Sequence, residues 1–525
     1  MYSYIFSVIC IILLPFLFYH YLASMQLNGY DLFKIIDRHN RKLVRFFVIG
    51  LYIGLLFFIA NILAYFYGKI YLTVVFDSIF YLSMAVIIVS NKNNFSKTPL
   101  VWTYRMKRLF GFCWISTSVL ILSIVGVFSL EYEDAILTAF PCISVAVPLF
   151  VFVFAGIIMP FEFLNNSRYI RIAKKRFEKS NAKIIAITGS YAKTSVKTIL
   201  AALLSQNFKV VCSEKNYNTP MGLALSCRNL TDETDIFIAE MGARHVGDIK
   251  KLVNICKPDI AVVTGICNQH LETFKSLDNV IAAKSEIFRE LKNDGVVFFN
   301  GKNLYCQDMY EKCEKNKYLS FVGKDRRVYA SDVVYTENGT DFCLHINEQK
   351  APCSTKLLGE SAIENIVLCS MIADYLGISI EKIAKSIETL EYIPHRLEVI
   401  KANGITIIDD SYNGNEKGVS EAVTALTYFK GRKLVLVSGI VEMGENEENA
   451  NYLLGERIAS AADYVIMIDT KQSDNIYDGL INSGFDKKNI AKYAAVNDAI
   501  KDFNNVLFEG DNLLILSDLP SNYSK

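Results

Sequence analysis

The sequence predicts a multi-pass α-helical membrane domain followed by two α/β domains. The hydrophobic fraction is 52%, and almost all of the apolar excess lies before about residue 165. Beyond that point, short β-branched segments alternate with amphipathic helical segments, a pattern typical of βαβ units and parallel sheets. These segments form two blocks that meet near Ile393-Pro394. We therefore predict three domains, with the boundaries 1–166, 167–393 and 394–525.

Five apolar segments are long enough to cross a bilayer, since a spanning helix needs about 20 residues. They cover approximately residues 3–22, 43–66, 71–90, 110–130 and 135–160. Lys and Arg cluster in the first and third connecting loops and after the fifth segment, whereas the fourth loop is acidic around Glu131, Glu133 and Asp134. The positive-inside rule then predicts an amino terminus outside the cell and cytoplasmic residues 165–525. The expected location is the cell membrane.

Composition excludes some functional classes. The formal net charge of +1 gives no indication of nucleic-acid binding, and the 12 Cys form neither a CxxC pair nor a zinc-like spacing with His. Reduced thiols are expected rather than a disulfide framework. Asp77 is charged within the third apolar segment, and the sequence leaves open whether it makes a helix–helix contact or a substrate contact.

The α/β region contains nine predicted strands. Several end in polar residues, and parallel strands bring such ends to one edge of a sheet, where ligands bind. The nine segments read KIIAIT, KVVCSE, DIFIAEM, DIAVVTGI, GVVFFN, ITIIDD, KLVLVSG, YVIMID and NLLILSD.

The first of these strands leads into a loop with the pattern of a phosphate-binding site. Backbone N–H groups of such a loop and the start of the following helix face phosphates, Lys193 reaches the terminal phosphates, and the Thr194 hydroxyl binds Mg²⁺. We predict ATP and Mg²⁺ as ligands. At Ala192, where a Gly normally precedes the Lys, the methyl group is either tolerated or weakens nucleotide binding. The candidate cofactor-binding residues of this loop are Gly189, Ser190, Ala192, Lys193, Thr194 and Ser195.

Glu240 closes the DIFIAE strand, which is expected beside the strand that leads into the phosphate loop. A carboxylate at that position suits a hard cation such as Mg²⁺. Without the neighbouring motifs, a solvated glutamate at the end of a strand would explain it equally well.

Eight motifs follow one another in a recognisable order. From about residue 160 to its end, the chain resembles the Mur ligases, which are ATP-dependent amide ligases of cell-wall precursor synthesis. It looks closest to the branch that adds D-alanyl-D-alanine and to its membrane-anchored relatives. The motifs are TGSYAKTS (188–195), NYNTPMG (216–222), AEMGARHVGDI (239–249), NQHLETF (268–274), AAKSEIF (282–288), PHRLE (394–398), DDSYNGNEKG (409–418) and SGIVEMGE (438–445).

The resemblance implies roles for further residues. His270 would bind a second Mg²⁺, together with a carbamate formed from CO₂ and Lys284. Lys284 lies in an apolar helical context, where burial leaves a neutral amine able to react. Arg396 would reach the ATP phosphates when the carboxy-terminal domain closes, and Asp410 would face the nucleotide from that domain. The predicted catalytic set is thus Lys193, Glu240, His270, Lys284 and Arg396, and the metal set is Thr194, Glu240, His270 and Lys284.

Departures from the family pattern concern the nucleotide site. The His-Asn pair of the adenine-contacting motif reads Ser361-Ala362, so that only Asn365 remains of this motif. Glu416 replaces a Pro, and Gly414 replaces an Ala. These changes are expected to affect the affinity or the specificity of nucleotide binding. Weaker candidates, for placing the incoming amino compound, are Tyr412, Asn413 and Asn415.

Three functions stay open at this point. The first is a membrane-anchored ligase that joins a cell-wall precursor carboxylate, through an acyl phosphate, to an amino acid or a dipeptide such as D-Ala-D-Ala. The second is another amide ligase, such as a poly-γ-glutamate synthase, and the third is a catalytically impaired nucleotide-binding scaffold. Soluble family members bind the uridine-diphosphate end of the precursor with an amino-terminal domain, and no segment of residues 1–160 is expected to form one. A lipid-linked acceptor, or one held at the membrane by a partner, is therefore a hypothesis.

Overall fold

The computed structural model describes residues 2–27, 41–90, 101–145, 147–214, 217–268, 271–321, 328–412, 414–441, 443 and 446–516. The chain forms two compact units, Met1–Asn166 and Ser167–Lys525. Where described, the first unit is helical, and the second contains three β-sheets with their surrounding helices.

The first unit has an apolar helical core. Phe18, Phe80 and Cys113 are fully buried in it. Some polar side chains are buried there as well, and two of them pair between helices, because Asn61 Nδ2 donates to Asp77 Oδ1 at 2.8 Å. Asp77 thus makes an interhelical contact. The helices are α1 (Tyr2–Leu27), α2 (Arg41–Phe66), α3 (Ile70–Ser90), α4 (Tyr104–Val145) and α5 (Val147–Lys179), of which α5 continues into the second unit.

By length and composition alone, three helical stretches of the described residues could cross a membrane: Tyr2–Ala23, Tyr104–Val127 and Leu149–Lys179. Helices α2 and α3 contain the shorter apolar stretches Tyr52–Phe66 and Tyr71–Ser83.

The predicted acidic loop between the fourth and fifth segments is wrong. Residues 131–134 lie inside α4, which runs for 42 residues. At 1.5 Å per residue this helix is about 63 Å long, roughly twice the thickness of a hydrocarbon core. The physical reason is local, because residues 127–140 contain neither Gly nor Pro to end the helix, and Glu, Leu and Ala favour it.

The central domain is built on a six-stranded parallel sheet with the order β2-β3-β1-β4-β5-β6. Strand β1 lies between β3 and β4, so the loops that follow these three strands meet at one edge. Apolar side chains pack on both faces. The elements are β1 (Lys183–Thr188), α6 (Lys193–Ser205), β2 (Val210–Cys212), α7 (Pro220–Ser226), β3 (Ile236–Glu240), α8 (Asp248–Cys256), β4 (Ile260–Val263), α9 (Leu271–Phe274), α10 (Leu277–Arg289), β5 (Val296–Phe299), α11 (Leu304–Glu311) and β6 (Asn316–Leu319).

A three-stranded antiparallel sheet completes the central domain. It consists of β7 (Val328–Thr336), β8 (Gly339–Ile346) and β9 (Gln349–Thr355), and is followed by α12 (Glu360–Tyr375) and α13 (Ile380–Glu388). Helix α12 packs against α6 in the shared core, where Cys369 Sγ donates to the Val196 carbonyl at 3.5 Å. Helix α6, which follows the phosphate loop, is thereby held in place by α12.

The carboxy-terminal domain has a second six-stranded sheet, ordered β10-β11-β15-β12-β13-β14, in which only the β10–β11 pair is antiparallel. All nine predicted strands are confirmed. The other six described strands were not among these nine. Strands β6, β10 and β14 are short and only partly buried, so they lack an apolar pattern. Strands β7, β8 and β9 contain many polar and partly exposed residues. The elements are β10 (Glu398–Ala402), β11 (Ile405–Asp409), α14 (Glu416–Leu426), β12 (Lys433–Val437), α15 (Glu447–Ala461), β13 (Tyr464–Ile468), α16 (Ser473–Asn482), β14 (Ile490–Tyr493), α17 (Val496–Val506) and β15 (Asn512–Leu516).

Candidate active site

The phosphate loop joins β1 to α6 and is tied to the neighbouring strand ends. The Ser190 N–H donates to the Gly265 carbonyl at 2.7 Å, and Thr188 Oγ1 donates to the Met241 carbonyl at 3.0 Å. At Gly189 a Cβ atom would lie 2.1 Å from Thr264 Oγ1, so only glycine fits there. The loop is thus held in shape by the ends of β3 and β4.

Ala192 adopts the left-handed conformation, with φ 61° and ψ 2°, directly before α6 begins. This conformation costs an L-residue about 1–2 kcal/mol because Cβ approaches the following carbonyl oxygen. The loop therefore keeps the backbone path that a glycine would take, at a cost in strain.

Lys193 is the first residue of α6 and turns back toward the loop. Its Nζ donates to the carbonyls of Gly189 at 2.7 Å and Ser190 at 3.2 Å. Burial lowers the pKa of Lys193; the nearby carboxylate of Glu240 raises it and the charge of Arg396 lowers it again. Three predicted catalytic residues thus lie close enough to influence one another.

Glu240 ends β3, in register with Ile187 of β1. Its Oε2 accepts from the Thr194 hydroxyl at 3.0 Å, and its Oε1 accepts from Asn218 Nδ2 at 3.2 Å. The side chain is only 2% exposed. A buried carboxylate beside a hydroxyl group supplies the hard oxygen ligands that Mg²⁺ prefers, so these residues fit the predicted metal.

Lys197 also contacts Glu240, with Nζ 3.1 Å from Oε2. Sequence reasoning did not single out this residue, because a lysine on an amphipathic helix usually reaches solvent. The available signal is its spacing of four residues from Lys193, which places both side chains on one face of α6.

A cavity of about 480 Å³ opens beside the loop, and we call it the phosphate-side cavity. Gly189, Ser190, Lys193 and Lys284 line it, together with Asn218. Lys284 is buried on α10, as its apolar context predicts, and burial holds its pKa well below the usual range, with a further decrease from the charge of Lys193. His270 lies outside the described residues, so its metal role stays a prediction.

A second cavity of about 60 Å³, the interdomain cavity, lies between the central and carboxy-terminal domains. It brings together predicted residues that are far apart in the sequence. They are Ala192, Ser195, Asn365, Arg396 and Asp410.

Two family descriptions match this chain. "Mur ligase middle domain" covers residues 187–373, and "Mur ligase, glutamate ligase domain" covers residues 395–519, together more than half of the sequence. The first match includes the phosphate loop, Glu240 and Lys284, and the second begins beside Arg396. The chain belongs to the Mur ligase family.

Relatives with the name UDP-N-acetylmuramoyl-tripeptide–D-alanyl-D-alanine ligase resemble this Mur ligase. The protein from Buchnera aphidicola subsp. Baizongia pistaciae is 31% identical over 290 residues, which are 55% of this chain and 63% of the relative. The protein from Escherichia coli K12 is 30% identical over 298 residues, or 56% and 66% of the two chains. This Mur ligase therefore matches slightly less than two thirds of the length of these relatives.

Solved structures show the same fold. MurF from Acinetobacter baumannii has a TM-score of 0.60 at 24% identity, covering 67% of this Mur ligase and 77% of that chain. MurF from Thermotoga maritima, solved in complex with ADP, has a TM-score of 0.59 at 24% identity and covers 67% and 80% of the two chains.

The segment that joins the central and carboxy-terminal domains of this Mur ligase places Arg396 between two residues with positive φ, His395 at 61° and Leu397 at 50°. The last residue of β11 and the residue that follows it contact both neighbours. His395 Nδ1 lies 2.7 Å from Asp409 Oδ2, and the Leu397 N–H donates to Asp410 Oδ1 at 3.1 Å. Asp410 thus lines the interdomain cavity and also holds the connecting segment at Leu397, a role that its strand-end position did not indicate.

The departures at Ser361-Ala362 lie beside contacts between the domains of this Mur ligase. Glu421 of α14 accepts from the Ser361 N–H. Lys417 Nζ bonds both oxygens of the buried Glu364 carboxylate, at 2.9 and 3.0 Å, and lies 5.4 Å from the centre of the Tyr191 ring. We call these contacts of α12 with α14 the interdomain latch. The sequence gives only one indication of the latch, which is that it contains residue types able to pair in this way. Their positions give none, because the partners lie more than 50 positions apart.

The weaker candidates differ in their surroundings. Tyr412 is 55% exposed and stacks on His395 at 5.2 Å. Asn415 caps α14, because its Oδ1 accepts from the Gly418 N–H at 3.0 Å. Asn413 lies outside the described residues.

Proposed function

We propose that this Mur ligase is a membrane-anchored, ATP-dependent amide ligase that activates a cell-wall precursor carboxylate as an acyl phosphate. One observation carries the proposal: Lys193 and Lys284 line one cavity together with Asn218, and Asn218 and Thr194 both donate hydrogen bonds to the Glu240 carboxylate. Phosphoryl transfer depends on positioning and charge neutralisation, and these residues supply both.

The proposed reaction has two steps. A carboxylate oxygen of the acceptor attacks the γ-phosphorus of ATP, and the bond to the ADP oxygen breaks. The amine nitrogen then attacks the acyl carbon and loses a proton, and inorganic phosphate leaves with the electron pair of the C–O bond. Lys193 and Arg396 stabilise the negative charge on the transferring phosphoryl group. Mg²⁺ bound by Thr194 and Glu240 would supply further charge neutralisation.

The amine donor we propose is an amino acid or a dipeptide, with D-Ala-D-Ala as the first candidate. The support comes from the relatives in Buchnera and Escherichia coli, whose names state a D-alanyl-D-alanine ligase. The acceptor class follows from the same names, since they specify a UDP-N-acetylmuramoyl tripeptide.

The acceptor, we propose, is bound at a membrane surface. The described residues before the family match include α1 to α5, and three stretches of these helices are long and apolar enough to cross a membrane. The exposed basic residues near the end of α5 could hold a pyrophosphate at the bilayer surface. They are Arg168, Arg171, Lys174, Lys175, Arg176 and Lys179.

Full-length protein in detergent, supplied with ATP and Mg²⁺, tests the activity. Candidate acceptors and amines are added in combination, and products are identified by mass spectrometry. We expect phosphate release that depends on both the acceptor carboxylate and the amine. Absence of acceptor-dependent hydrolysis with every cell-wall precursor would contradict an enzymatic role.

Two further measurements test the membrane part. A lipid-linked precursor should give a higher kcat/KM in vesicles than its soluble uridine-diphosphate counterpart. Equal values, unchanged after deletion of residues 1–160, would reduce this region to an anchor. A reporter fused after Lys525 should be active only in the cytoplasm, and activity only outside the cell would contradict the topology.

A further inference from the structure

Lys197 is a buried cation that the proposed reaction does not use. It lies on α6, four residues after Lys193, and is 5% exposed. Its Nζ lies 3.1 Å from Glu240 Oε2 and donates to the Ser213 carbonyl at 3.1 Å. The side chain therefore ends on the site and does not reach solvent.

Glu240 is surrounded by donors of which Lys197 carries the only full charge within hydrogen-bond distance in the described residues. The Thr194 hydroxyl shares Oε2 with Lys197, and Asn218 donates to Oε1. Ser213 holds the backbone as well, because its Oγ accepts from the Glu240 N–H at 3.0 Å. Ser213 thus contacts both members of the ion pair.

An ion pair at this depth needs a reason, because removing two charges from water costs several kcal/mol per ion. Apolar residues would fill the space beneath α6 at no such cost. A contribution to stability is therefore a weak explanation for the buried Lys197. The need to hold the Glu240 carboxylate in one orientation at the metal position explains it directly. Groups that orient a metal ligand commonly change metal affinity about 10–100-fold when they are removed.

We propose that Lys197 is a positioning residue that fixes the Glu240 carboxylate for the divalent cation bound with the nucleotide. This inference rests on the proposed function, because it takes Glu240 as a metal ligand. It assigns separate tasks to two lysines of one helix, with Lys193 directed to the phosphates and Lys197 to the metal ligand.

Binding of Mn²⁺ in the presence of ADP, measured by electron paramagnetic resonance on the full-length protein, tests the proposal without turnover. In Lys197→Met we expect Mn²⁺ affinity to fall about 10-fold or more. Lys197→Arg, which keeps the charge, should lose less. ADP affinity in EDTA should equal that of the unchanged protein, because Lys193 and the loop are intact.

Lys292→Met is a matched control. Lys292 also pairs with a carboxylate at the sheet, at 2.7 Å from Asp259 Oδ1, but Asp259 precedes β4 and so lies at the opposite edge. This variant should bind Mn²⁺ normally. If Lys197→Met does not fold, Lys197→Gln, which keeps a donor for the Ser213 carbonyl, replaces it with the same expectation.

Unchanged Mn²⁺ affinity in the folded, uncharged variant would overturn the role of Lys197 and leave the proposed function intact. An equal loss of metal-free ADP binding would also overturn it, since that result means general damage to the site. If the unchanged protein binds no Mn²⁺ with ADP, both the inference and the proposed function fail.

Discussion

The two cavities of the site are built in different ways. The phosphate-side cavity is formed within one domain, at one edge of a parallel sheet, and its residues match the family motifs. The interdomain cavity depends on two domains, and there the sequence departs from those motifs at Ser361-Ala362, beside the interdomain latch. Under the proposed function, the need to neutralise phosphoryl charge would constrain the residues of the first cavity, whereas the second cavity tolerates changes in the residues between the domains.

The largest effect is expected at the phosphate-side cavity. Lys193→Ala and Glu240→Ala should each lower kcat on the order of 100-fold or more, because each removes a fixed charge at the transferring phosphoryl group. Steady-state ligation assays measure this effect. Glu233→Ala is the control, since Glu233 is 78% exposed, precedes β3 and pairs only with Lys209 in the described residues. Near-normal ligation by either site variant would remove the basis of the comparison.

Lys284→Ala should cause a comparable loss if its carbamate is a metal ligand, because an uncharged methyl group replaces an anionic one. A short-chain carboxylic acid added to the assay should restore part of the activity by occupying the vacated space. Failure to restore activity would weaken this prediction. Intact mass showing unmodified Lys284 in an active, metal-loaded enzyme would contradict it.

A smaller effect is expected at the interdomain latch. Lys417→Met leaves Glu364 buried at 4% exposure with Asn300 as its remaining donor in the described residues. Because the Lys417 side chain is 38% exposed, we expect the unfolding free energy to fall by only about 1–2 kcal/mol. The KM for ATP should rise roughly 10-fold, with little change in kcat.

Two variants sharpen this test. Glu364→Lys combined with Lys417→Glu should recover part of the loss if the pair acts through its charges. Lys501→Met removes the exposed pair with Asp498 in the same domain and should leave KM unchanged. An unchanged KM in Lys417→Met would mean that the latch does not support nucleotide binding.

The latch should also make stability depend on pH. Its partly buried position raises the pKa of the Glu421 carboxyl from 4.5 to about 7, although the hydrogen bond from Ser361 acts in the opposite direction. The folded protein then binds more protons than the unfolded chain, so this contribution is complete below about pH 4.5 and is lost as pH rises through about 7. Glu421→Gln should flatten unfolding free energy against pH in this window, and an unchanged slope would contradict the assignment.

The smallest effect is expected at Ala192. Ala192→Gly relieves about 1–2 kcal/mol of strain from the left-handed conformation. It also raises the entropic cost of folding by about 0.5–1 kcal/mol, because a glycine backbone loses more freedom. The unfolding free energy should therefore rise by about 0.5–1 kcal/mol. Chemical denaturation measures this change. Ala201→Gly, within α6, should instead destabilise by about 1 kcal/mol. Equal effects of the two substitutions would show that Ala192 carries no strain.

Local pattern was sufficient for much of the molecule. Short runs of adjacent residues, with their apolar period and the turn residues that end them, were enough to predict nine strands. They also predicted the two mostly parallel sheets and the turn from Thr188 into α6. The membership in the Mur ligase family likewise follows from ordered motifs. Residues 131–134 are a local feature that was predicted wrongly, because charge indicated a loop where helix-forming residues continue α4.

Tertiary structure decided what depends on partners distant in sequence. The left-handed backbone at Ala192 is fixed by the ends of β3 and β4, and Lys197 contacts Glu240 only because β3 brings that carboxylate beneath α6. The Glu364–Lys417 pair exists only where α14 meets α12. The sequence by itself determined which side chains carry charge, but their pKa values, partners and strain arise from burial and long-range contacts, which are properties of the folded chain.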